Sequence, residues 1–165
     1  MRENETGIPQ IFIRENSWNS CQLIHIHPWF KKMKSRPKIG TAGELKFAVA
    51  EEHAIDFATG GMPAVLSTPR LIGLIERTAR ESLYAFLDAN ERTVGAEIEI
   101  RHLAATPLGQ NVTIVTRVIG GEGKLWDFQF EVRDEHEVIA RGLHKRAVIT
   151  VESFARRVAR KAAGR

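Results

Sequence analysis

The chain has 165 residues, 43% of them hydrophobic, and a formal net charge of +4 from 24 basic and 20 acidic residues. That is enough apolar material for one globular domain with its own core. The basic surplus sits in "KKMKSRPK" and "RRVARKAAGR" without interleaved aromatics, which argues against a nucleic-acid footprint, and no stretch approaches the roughly 18–20 apolar residues of a membrane span.

Residues 1–40 read as an N-terminal extension or arm. They are rich in Asn, Ser, Pro and Lys, and their apolar runs "IFI" and "LIHIHPWF" keep no sustained period. Met33 opens "MKSRPKIGTAGELKF" and reads as a plausible true start. "MRENETGIPQ" has no apolar segment of the signal-peptide kind. Cys21 is the single cysteine, so no disulfide can close within the chain and a reduced, cytoplasmic setting is expected. The two histidines of "HIHPW" have no acidic or cysteine ligand nearby, so no metal site is assigned to them.

Residues 41–165 form the expected domain. "AGELKFAV" (42–49) alternates as a strand, and "EEHAIDFA" (51–58) reads as a short helix or turn closed by Gly60 and Gly61. From Thr68 the period becomes helical. Thr68 is a suitable N-cap and Pro69 a suitable first helical residue, since proline lacks the N–H that would go unpaired there. Ile72, Ile75, Ala79, Leu83 and Phe86 recur at spacings of three and four, which predicts one helix lasting to about Asp88. Four strands follow at 94–104, 111–119, 125–134 and 137–150, with "GGEGK" (120–124) as a hairpin turn, and residues 152–163 read as a terminal helix. "GGEGK" is not a phosphate-binding loop, because its glycine spacing is wrong and Leu125 stands where Ser or Thr is needed. One long helix among antiparallel strands predicts an α+β domain whose sheet wraps the helix, with open edges that a second copy would cover.

Three residues sit awkwardly in this pattern. Glu76 falls four residues after Ile72 and three before Ala79, on the side of the helix expected to be buried. It is either an edge-of-stripe carboxylate paired with Arg80 at i,i+4 or a functional group. His102 continues the inward alternation of Ala96, Ile98, Ile100 and Ala104. It is either a hydrogen-bonded core histidine or a base working beside a carboxylate near neutral pH. Thr68 is either only the cap or a hydroxyl placed where free backbone N–H groups would meet an oxyanion. Eight residues separate Thr68 from Glu76, about 12 Å along a helix, so a shared site needs a curled-back turn or two protomers. His53 and His136 fall in polar turns and are expected to be solvated. His144 reads as either a packing residue or a neighbour of the site.

"PAVLSTPRLIGLIERTARESL" (63–83), "VGAEIEIRHLAATPLGQNVTI" (94–114) and "GLHKRAVITVESFARRV" (142–158) together resemble the hot-dog-fold thioesterases, specifically the fluoroacetyl-CoA thioesterase-like branch. The likeness runs from about Gly40 to the C-terminus, with the ordered motifs H-x-A-A-T-P-x-G and H-x-R-A-V-I as its most specific parts. It implies a hot-dog fold, a double hot-dog homodimer with sites at the interface, and hydrolysis of an acyl-CoA without any separate cofactor. By motif, Thr68, Glu76 and His102 match the family's catalytic Thr, Glu and His, and Gly95 matches a glycine whose backbone lies near the substrate carbonyl. The implied chemistry has His102, oriented by Glu76, activating the Thr68 hydroxyl or a water. Arg70, Lys145 and Arg146 are the cations expected to meet the CoA phosphates. Met62 and the Gly60–Gly61 pair stand where the family pattern has an aromatic and bulkier neighbours, and Pro69–Arg70 replaces Gly-Phe. These departures point to a short or medium acyl group other than fluoroacetyl. A non-catalytic acyl-CoA sensor and a hot-dog hydratase or dehydratase are the competing readings.

Overall fold

Strict alternation of buried and exposed residues organises the second half of the chain. In the computed structural model, which describes residues 33–164, it builds one antiparallel sheet of five strands. These are β1 (Ala42–Ala48), β2 (Glu91–His102), β3 (Asn111–Glu122), β4 (Leu125–Arg133) and β5 (Val138–Thr150), in the spatial order β1-β3-β4-β5-β2. Helix α1 (Thr68–Ser82) precedes β2, and α2 (Val151–Ala162) follows β5 directly. The inward face carries Val112, Ile114 and Val118 from β3, and Trp126, Phe128, Phe130 and Val132 from β4. Helix α1 lies against that face, touching β1, β3 and β2. Its first half joins Leu71 and Ile75 to Val112, Ile114, Phe130, Val132, Ile139 and Ala140. Its second half joins Ala79 and Leu83 to Val118, Trp126, Phe128 and Val148. The α+β architecture of a sheet curled around one helix is thus the one expected.

Several boundaries move for identifiable reasons. Helix α1 stops at Ser82, and a 3-10 turn over Tyr84–Phe86 carries the stripe onward before Leu87 becomes extended. The buried stripe runs through Leu71, Ile75, Thr78 and Ala79, with Ile72 only half-buried. Thr78 tolerates burial because its hydroxyl donates to the Leu74 carbonyl at 2.8 Å within the helix. Strand β2 starts earlier than the apolar pattern shows because it begins with a buried carboxylate. Glu91 accepts from the Asp88 N–H at 3.2 Å and stands 3.6 Å from Lys124 Nζ. His53 is not solvated: its Nδ1 accepts from the Ala50 N–H at 3.1 Å and its ring meets Phe47 edge-on.

Part of the expected arm packs on the domain. Met33 is 8% exposed within the second core cluster, and the Arg36 guanidinium lies 5.1 Å over the Trp126 ring. Cys21 and the histidines of "HIHPW" lie outside the described residues. Among the described residues no helix is long and apolar enough to cross a membrane.

Two glycines separate backbone crowding from backbone freedom. A Cβ on Gly43 would stand 2.7 Å from the Thr78 carbonyl oxygen, where strand and helix backbones approach, whereas one on Gly73 meets nothing within 4 Å. Gly43→Ala should therefore destabilise by about 1–3 kcal/mol in urea unfolding, while Gly73→Ala, in a helix interior, should stabilise by roughly 0.5–1 kcal/mol.

Candidate active site

The start of α1 is capped by Ser67, whose hydroxyl accepts from the Arg70 N–H at 3.4 Å. Thr68 is the first helical residue and Pro69 the second, so the helix begins one residue earlier than the sequence pattern suggests. The capping explanation for Thr68 therefore falls away. Its hydroxyl is instead 2.9 Å from Nδ1 of His102, at the far end of β2. The alternation that placed His102 on the helix side holds from Ile98 onward: Ile98, Ile100 and Ala104 pack against the core, while Glu97, Glu99, Arg101 and Leu103 are exposed. Ala96, expected inward, is exposed at the register slip after Gly95.

Burial depresses the His102 pKa below the ordinary imidazole value, opposed by the Ala104 backbone. The ring thus stays neutral at pH 7, and a neutral imidazole beside a hydroxyl is equipped to take its proton. Nε2 is buried without a hydrogen-bond partner among the described residues, so one ring nitrogen remains uncommitted.

Glu76 occupies a second place. Its expected i,i+4 partner Arg80 instead lies 3.9 Å from Glu81, and the Glu76 carboxylate stands 3.9 Å from Arg146 Nη1. It also lies against Gly95, where an added Cβ would collide with Oε1. Glu76 is not wholly buried: its side chain is 40% exposed. Two helical turns, about 12 Å, divide it from Thr68, so one chain brings Thr68 to His102 and Glu76 to Gly95 without joining the pairs. Gly95 opens a β-bulge, since the β2–β5 register slips between Gly95 and Glu97.

The expected phosphate-binding cations separate. Arg146 is not a surface group: it is 3% exposed, and it donates to Thr93 Oγ1, the Thr93 carbonyl and the Glu76 carbonyl at 3.0–3.2 Å. Lys145 points to the opposite face of the sheet, 3.7 Å from Glu97 and 3.6 Å from Asp127. Arg70 alone is exposed near the start of α1, lining an open groove of about 420 Å³ with Glu52, His53, Pro69, Gly73 and Leu74. Met62 is exposed in the loop before α1, where its N–H donates to Thr59. The sequence reading makes His144 a packing residue or site neighbour and Arg146 a surface cation, but their burial and their contact at 3.0 Å escape it. The same alternation that found His102 also puts Ala140, His144, Arg146 and Val148 on the inward face of β5.

A model of the fluoroacetyl-CoA-specific thioesterase family matches residues 49–152, most of the chain and all of the site. The fluoroacetyl-CoA thioesterase of Streptantibioticus cattleyicolor is 32% identical over 99 residues, covering 60% of this chain and 71% of that protein. The solved structure of the fluoroacetyl-CoA thioesterase FlK superposes with a TM-score of 0.71 at 26% identity, covering 77% of this chain and 98% of the other. A hot-dog-like protein from Thermanaerovibrio acidaminovorans shares the fold, with a TM-score of 0.70 at 24% identity over 74% of this chain and 91% of its own. With Thr68, His102, Glu76 and Gly95 all inside the matched span, this chain belongs to the fluoroacetyl-CoA-specific thioesterase family and carries its hot-dog fold.

Proposed function

We propose that the protein is a cytoplasmic acyl-CoA thioesterase that works as a homodimer, with CoA entering only as part of the substrate. The observation that carries this reading is the 2.9 Å contact between the Thr68 hydroxyl and a histidine kept neutral by burial. His102 takes a proton from Thr68, or from a water in its place, and the freed oxygen attacks the thioester carbonyl. A tetrahedral oxyanion forms, the Thr68 N–H and the Gly95 N–H brought by the second chain would stabilise it, and the protonated His102 returns its proton to the departing CoA thiolate. If Thr68 attacks, water then releases the acid from the acyl-threonine by the same base.

The split between Thr68–His102 and Glu76–Gly95 supports a site shared by two chains. Strand β2 is an edge of the sheet and carries His102 at one end and Gly95 near the other. Antiparallel pairing of two β2 edges about a two-fold axis would set His102 of each chain opposite Gly95 and Glu76 of its partner. Glu76 would then orient His102 across the interface. Arg70 is the cation free to meet a CoA phosphate, and Met62 would border the acyl pocket. Where relatives carry an aromatic, the smaller and more flexible Met62 favours a short or medium acyl group other than fluoroacetyl.

Thiol release from a panel of acyl-CoAs tests the activity. Hydrolysis should appear with at least one short or medium chain, and Thr68→Ala or His102→Ala should lower kcat by about 10²–10⁴-fold. Binding without release from every ester would identify a sensor instead. Burial lowers the His102 pKa and a Glu76 carboxylate across the interface would raise it, so the acid limb of kcat/KM should move to lower pH in Glu76→Gln than in wild type.

Mixing the inactive variants Thr68→Ala and Glu76→Ala checks the shared site. Random re-pairing should restore roughly a quarter of wild-type activity, since each mixed dimer holds one intact site. No recovery on re-pairing would place the whole site in one chain.

Gly95→Ala should leave the melting temperature nearly unchanged, because the displaced Glu76 carboxylate is the end of a flexible side chain. It should lower kcat by at least about tenfold, since misplacing such a group by an ångström is enough.

A further inference from the structure

His144 is buried on the inward face of β5, 2% exposed, and takes no part in the reaction described above. Both of its ring nitrogens are committed. Nδ1 is 2.7 Å from the Glu97 carbonyl, and Nε2 is 3.0 Å from Nη1 of Arg146. A carbonyl only accepts and a guanidinium only donates, so Nδ1 carries the proton and Nε2 offers its lone pair. The ring is therefore fixed as one neutral tautomer. Burial holds its pKa below the ordinary value, aided by Arg146 and opposed by the Glu97 carbonyl and Glu76.

The partners of this ring flank the bulge at Gly95. His144 holds the Glu97 carbonyl on one side, and Arg146 holds the Thr93 carbonyl at 3.0 Å on the other. The same guanidinium donates to the Glu76 carbonyl at 3.2 Å and lies 3.9 Å from its carboxylate. Bulged backbone gives up ladder pairing and needs other contacts to keep one geometry. Here His144 provides one such contact directly and aims the Arg146 fork that provides the other. The charged and titratable groups around the pair are Glu76 and Arg80 on α1, Tyr84 in the following turn and Arg146 itself; β4 contributes the Phe128 ring.

We propose that His144 is a positioning residue for thioester hydrolysis, which holds the Gly95 bulge and the Arg146–Glu76 contact in working geometry through its neutral, Nδ1-protonated ring. This rests on the thioesterase reading and adds a residue that touches neither substrate nor base.

Two measurements on the full-length protein test it. Long-range ¹H–¹⁵N correlation spectra of histidine-labelled wild type should show His144 protonated on Nδ1 alone at neutral pH. An Nε2-protonated or doubly protonated ring overturns the assignment, whatever the enzyme hydrolyses. Steady-state kinetics should show His144→Ala lowering kcat by at least about tenfold with KM changed by less than about twofold. His144→Gln returns an acceptor near the Nε2 position and His144→Asn a donor near Nδ1, and each should recover part of the loss. Should the alanine variant fail to fold, the Gln and Asn variants carry the test, and wild-type kcat in both overturns the proposal. Wild-type kcat in a folded His144→Ala protein overturns it too. A wild type inactive on every thioester would remove the activity itself, a different failure from an active His144→Ala variant.

Discussion

A guanidinium buried beneath the central helix is the constraint to which the rest of this structure answers. Arg146 remains charged even though burial lowers its pKa, because an arginine's intrinsic value is so high. Such a charge is tolerated inside a protein only when its donors are matched. Its matches come from three elements: the Thr93 hydroxyl and carbonyl on β2, the Glu76 carbonyl on α1, and the His144 lone pair on β5. Helix and sheet are therefore pinned to each other at Glu76, and β2 is gripped where its ladder slips. The apolar clusters at the two ends of α1 supply the burial, and the polar cluster between them sets where the helix sits on the sheet.

That placement has chemical consequences. With Glu76 held at Gly95, the helix carries Thr68 two turns away, against the end of β2, where His102 receives it. Eight helical residues from Thr68 to Glu76 rise about 12 Å, while the seven strand residues from Gly95 to His102 rise about 23 Å, so the two contacts lie well apart along β2. Gly95 leaves room for the Glu76 carboxylate, since a Cβ there would enter the space of its Oε1.

Much of the fold was legible in the chain. Period-two alternation located β3, β4 and β5 to within a few residues, and the Gly123 turn between β3 and β4 was marked by its glycines. Periodicity failed where polar residues take inward positions. Glu91 begins β2 but resembles a turn residue, and the α1 stripe read through Ile72 leaves out the buried Leu71 and Thr78. His53 seemed solvated because its partners, Phe47 and the Ala50 N–H, are not apparent from its polar neighbourhood. At the site, alternation put His102 on the correct face, and helical spacing set Glu76 among the residues facing the sheet. Neither could say that the two are not each other's neighbours in one chain.

The sequence by itself determined which residues alternate, where the long helix runs, and that a histidine and a carboxylate interrupt apolar faces. These are properties of local geometry, fixed by the 3.6-residue and two-residue periods. Only the tertiary structure decided the pairings: Ser67 rather than Thr68 caps α1, Thr68 belongs to His102, and Glu76 belongs to Gly95 and Arg146. It also turned Arg146 from a surface cation into the buried centre of the fold. Those outcomes depend on how far the sheet curls around α1 and where β2 slips by one residue, and both are settled by contacts among residues far apart in the chain.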